Sequence, residues 1–119
     1  MNGRPLYGED KELVVQHITP QMAVDALNQL DTRFDAHDVE KRLLRLHTVA
    51  VAQEILRYAN SGDVLRNFSA QLARWIDRTF QGQIRQVASV HSENLGGRVS
   101  SNTEWEKLVP QVTVPAAEA

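Results

Sequence analysis

Between residues 63 and 80, the apolar side chains Val64, Leu65, Phe68, Leu72, Trp75, Ile76 and Phe80 recur at helical spacing. No other feature constrains the fold as much, because a helix of that length carries a full apolar face that must be buried against something. The chain has 119 residues, enough for one domain. It is 42% hydrophobic and 24% charged, which excludes collagen-like and wholly disordered chains. It has no cysteine, so disulfide scaffolds and thiolate metal sites are excluded as well.

The partners for that helix lie on both sides of it. Thr19-Pro20 is a helix start: threonine caps free backbone N–H groups, and proline at the first helical position loses no hydrogen bond. Met22, Ala23, Ala26, Leu27 and Leu30 follow at helical spacing and predict a helix over 20–31. Residues 32–34 form a short extended link. Asp35 caps a second helix, with Asp38 in its first turn and Val39, Leu43, Leu46 and Leu44 as its apolar stripe. His47-Thr48 is a candidate break, where Thr48 can cap again. The helical pattern resumes with Val49, Ala52, Ile55, Leu56 and Ala59, and one long helix or two abutting helices both fit. Gly62 is the stop.

After the helix over 63–80, residues 84–91 fit either a strand or a helix. A strand is preferred because Gly96-Gly97 follows, making 90–95 one arm of a hairpin and 98–100 the return. Ser101, Asn102 or Thr103 is expected to cap a last short helix containing Glu104, Trp105, Glu106 and Leu108, stopped by Pro110. The domain division is a flexible leader over 1–17, a single domain over 18–109 and a disordered tail over 110–119.

This order resembles a winged helix-turn-helix domain: mainly α with a small β-hairpin. The resemblance is one of architecture and covers about residues 19–107. It implies that Phe34 lies in a short first strand, that 63–80 is the recognition helix and that Gly96-Gly97 is the wing tip.

The charge map says where such a domain would make contact. The formal net charge of the whole chain is -2. Residues 1–40 hold Arg4, Lys11 and Arg33 against eight acids, whereas residues 41–98 hold Lys41 and eight arginines against Glu54, Asp63, Asp77 and Glu93. A basic centre is therefore hidden by acidic ends. Arginine presents a planar fork suited to phosphates and guanine edges. On the helix over 63–80, Arg66, Ala70, Arg74, Arg78 and Gln81 share the side opposite the apolar face. Asn67 and Gln71 flank them with amides that can read adenine, and Arg85 and Arg98 belong to the hairpin. The plainer alternative is a solvated helix face on which Asp77 pairs with Arg74 or Arg78; an exposed pair is worth at most about 1 kcal/mol.

Catalytic patterns are lacking in the sequence. His17, His37, His47 and His91 do not pair at the spacing that puts two ligands on one helix face. His37-Asp38 superficially resembles the metal dyad of HD phosphohydrolases without its supporting set, and capping is the better explanation of the pair. Gly96-Gly97 lacks the spacing of a phosphate loop, and no serine sits in a glycine-flanked elbow. Trp105 reads as a core residue, with a partner-anchoring role as the alternative. No secretory signal or spanning segment is evident, and the expected location is cytoplasmic. The expectation is thus a non-enzymatic, regulatory domain without cofactor or metal. It would bind double-stranded DNA as a homo-oligomer through Arg66, Asn67, Gln71, Arg74, Arg78, Arg85 and Arg98. The alternative is a protein–protein interaction or homodimerisation module of the same fold, using the broad apolar arc of Leu43, Leu44, Leu46, Ile55 and Leu56.

Overall fold

The computed structural model describes residues 15–116. Most of the leader expected over 1–17 therefore lies outside the described residues. Its last residues are held firmly: the Gln16 and His17 amides donate to the buried Glu54 carboxylate at 2.9 and 2.6 Å.

The described chain folds into four helices and a three-stranded antiparallel sheet, a small mixed α/β domain. In chain order the elements are α1 (Pro20–Leu27), β1 (Arg33–Asp35), α2 (Ala36–Leu46), α3 (Thr48–Leu56), α4 (Val64–Thr79), β2 (Ile84–Glu93) and β3 (Val99–Lys107). The sheet order is β1-β3-β2.

Local chemistry explains the helix starts. The Thr19 hydroxyl accepts from the Met22 amide at 3.2 Å ahead of Pro20. Asp35 and Asp38 make a reciprocal capping box at the start of α2. Asp63 accepts from the Arg66 amide at 3.2 Å at the start of α4. The expected helix over 20–31 is shorter than the pattern allowed. The Gln29 and Leu30 amides turn back to carbonyls three residues behind them, and the Asn28 side chain both donates to and accepts from the backbone of Val112.

The break at His47 is real, and α2 and α3 are separate helices. His47 has φ -137° and ψ 59°, outside helical values. Thr48 does not cap α3; its hydroxyl donates to the Leu44 carbonyl instead.

The last expected helix is absent, and residues 99–107 form β3, the central strand. Trp105 is buried between Glu104 and Glu106, which are partly exposed, and this is the in-and-out alternation of a strand. Its partners are Phe34 on one side and Gln86 on the other. The hairpin is accordingly much longer than 90–100, and a bulge between Gln86 and Ala88 bends it.

The core lies between the sheet and the helices. Leu27, Leu43, Val51, Phe68, Leu72, Ile76, Phe80 and Trp105 are all fully buried or nearly so. The rings of Phe34 and Trp105 meet at 5.7 Å between centroids. Part of the segment expected to be a disordered tail is docked: Val112 is buried, and the Thr113 amide donates to Gln83. Among the described residues, no helix is long and apolar enough to cross a membrane.

Candidate functional site

A cleft of about 1060 Å³ opens between the exposed side of α4 and the far half of the hairpin. Its helix wall is Asp63, Arg66, Ser69, Ala70, Ala73 and Arg74. Spacings of three and four residues put these on one face, turned away from Phe68, Leu72 and Ile76. Its other wall is the hairpin from Asn94 to Thr103, including Arg98. Arg66, Arg74 and Arg98 thus converge on one concavity from two elements, and all three are exposed.

The hairpin wall is fixed at both ends. At the tip, the Asn94 side-chain oxygen accepts from the Gly96 and Arg98 amides at 2.9 and 3.0 Å, and Gly97 turns the chain at φ 82°. That φ suits glycine, which has no Cβ to clash. Gly96 lies so close to α4 that an added Cβ would meet Leu65 Cδ1 at 3.0 Å.

Deeper in the cleft, the buried His37 links α2 to both hairpin strands. Its amide donates to Asn102 Oδ1 at 3.1 Å. Its Nδ1 lies 3.1 Å from the Ser92 carbonyl oxygen and 2.9 Å from Ser92 Oγ. With its proton on Nδ1 the ring donates to the Ser92 carbonyl, and with its proton on Nε2 it accepts from the Ser92 hydroxyl; either tautomer ties α2 to β2. Capping falls to Asp38, as expected of the His-Asp pair, while His37 is a structural tie.

The remaining predicted site residues are not brought into the cleft. Asn67 donates through its amide to the Ser61 carbonyl and hydroxyl, closing the turn before α4. Arg85 sits toward the other end of β2 and pairs with Glu106 at 2.8 Å. That arginine holds the partly exposed Glu106 carboxyl below its usual range. Gln71 and Arg78 lie on α4 outside the cleft lining. On α4, Asp77 accepts the Trp105 indole N–H.

Two buried acids were not singled out from the sequence. Glu54 is matched by the Gln16 and His17 amides and by Arg57. Glu40 is 1% exposed, and neither of its oxygens has a hydrogen-bond partner. The signal was its position: four residues after Ala36 and three before Leu43, on the buried face of α2. Burial pushes its carboxyl up to about 7. Among the described residues, no group of three or more His, Asp or Glu side chains could hold a metal ion. No family model, curated protein or solved structure matches this chain.

Proposed function

We propose that the chain is a non-enzymatic DNA-binding domain of the winged helix-turn-helix type, with a regulatory role. In this reading α4 is the recognition helix and the β2–β3 hairpin is the wing. The observation that carries it is the convergence of Arg66, Arg74 and Arg98 on one cleft between that helix and that hairpin. Three exposed guanidinium groups along a concave wall suit the evenly spaced charges of a phosphate backbone. The element order and the β1-β3-β2 sheet are compatible with the fold.

The cleft narrows the set of contacting residues. Arg66, Arg74 and Arg98 hold phosphates, and Gln71 and Arg78 extend the helix surface beside them. Asn67 and Arg85 are occupied by Ser61 and Glu106 and act in structure. Alanine replacement of Arg66, Arg74 and Arg98, compared with Arg85→Ala on a generic duplex, tests this directly. Loss in the first three with near-normal binding in the fourth supports the reading; equal loss in all four contradicts it.

A second reading concerns assembly, and α3 favours it. Val49 and Leu56 are each 69% exposed. Apart from the buried Glu54, α3 carries no charge from Thr48 to Leu56. Leu43, Leu44, Leu46 and Ile55 of the expected apolar arc are buried in or packed against the core, so Leu56 is the member left outside. An apolar helix surface of this kind suits a protein contact, and a second copy would place two clefts on one DNA.

A further inference from the structure

Glu40 is buried on α2, a helix in contact with α4, and Ser69 of α4 is close enough to influence its carboxyl. Ser69 is also a wall of the cleft, between Arg66 and Arg74 in the helix. Ser69 is therefore shared by the surroundings of the buried carboxyl and the wall of the cationic cleft. Ser69 favours the ionised form, yet neither carboxyl oxygen has a partner within hydrogen-bond distance, and burial dominates. Asp35 of β1 raises the carboxyl further, and Lys41 on the same helix lowers it. Titratable groups on α2, α3 and the turn between them have other partners: His37 with Ser92, His47 with Asp25, and Glu54 with the Gln16 and His17 amides. Glu104 of β3 stands opposite Asp35 in the sheet.

A carboxylate buried without a donor is costly, and it is relieved only if water or a cation reaches it. We propose that Glu40 is a proton-operated switch for the cleft: neutral, it lets α4 seat on α2 and the arginines hold a polyanion; ionised, it loosens the seat and weakens that hold. The proposal rests on the nucleic-acid reading of the cleft. Linkage makes the effect reciprocal, so a bound polyanion also favours the protonated acid.

The sign follows from the raised carboxyl. Between about 4.5, the ordinary value, and about 7, the folded chain keeps a proton that the unfolded chain has lost. The stabilisation is complete below that window and disappears as pH rises through about 7.

The test uses a mixed-sequence DNA duplex at about pH 6 and pH 8.5, with urea unfolding midpoints measured at both. Wild type is expected to bind about fivefold more weakly at the higher pH, the low end of ordinary site-to-site coupling, with a lower urea midpoint. Glu40→Gln and Glu40→Leu should show neither change; the second variant serves if the amide is poorly tolerated. An unchanged wild-type midpoint, a parallel fall in both variants, or a midpoint shift without a binding shift overturns the proposal. Absence of duplex binding at both pH values contradicts the nucleic-acid reading instead, and the midpoints then decide whether Glu40 controls the seat of α4.

Discussion

Asp77 on α4 accepts the indole N–H of Trp105 on β3 at 3.0 Å, tying the longest described helix to the central strand. The contact orients both elements. It fixes the indole ring against Phe34 and draws the Asp77 carboxylate toward the sheet, away from the cleft lined by Arg66 and Arg74.

Asp77→Ala should therefore destabilise the fold by about 1–3 kcal/mol, because a buried N–H loses its acceptor. Asp77→Asn keeps an acceptor oxygen and should cost less. Urea unfolding measures both, and an Asn variant as unstable as the Ala variant would show that the charge matters, not the hydrogen bond.

The hairpin tip should tune binding separately from core stability. Asn94→Ala removes the acceptor shared by the Gly96 and Arg98 amides. Gly97→Ala forces a Cβ into a backbone at φ 82°, at a cost of about 1–2 kcal/mol. Each should weaken duplex affinity severalfold by loosening Arg98. A competition assay at fixed salt measures the affinity, and affinity equal to wild type in both would show that the hairpin takes no part.

The α3 surface makes a different prediction. Leu56 is exposed, so Leu56→Arg should leave the fold of the single chain intact, as read by circular dichroism. If a second copy covers α3, the same change should convert the dimer to a monomer in light scattering. A wild-type chain that is monomeric at every concentration tried would sink the assembly reading.

Much of the helical architecture was legible because its signals are local. Thr19-Pro20 and the Asp35 cap each act within one turn, and the apolar spacing located α4 to within a residue at each end. The third strand was not legible. Ser101, Asn102 and Thr103 are good caps taken alone, and their pairing with β2 depends on a hairpin whose length the sequence left open. Phe34 and Trp105 pair across a wide sequence separation, which no local pattern reveals. The segment after Pro110 reads as a loose tail, whereas Val112 is buried and its backbone is held by the Asn28 side chain. Of the site, the sequence located the arginines but not their grouping: Arg98 joins Arg66 and Arg74 because the hairpin folds back over α4, and Arg85 is left behind near the base of the same hairpin.

The salt dependence of duplex binding is the sharpest check that Arg66, Arg74 and Arg98 hold phosphates. Each phosphate contact contributes about 0.9 to the slope of log affinity against log salt. Wild type should give a slope of roughly -3 or steeper. The triple variant of Arg66, Arg74 and Arg98 to alanine should flatten it by most of that amount, while Arg85→Ala keeps the wild-type slope. A wild-type chain that fails to bind at low salt, or a triple variant with an unchanged slope, would contradict the account.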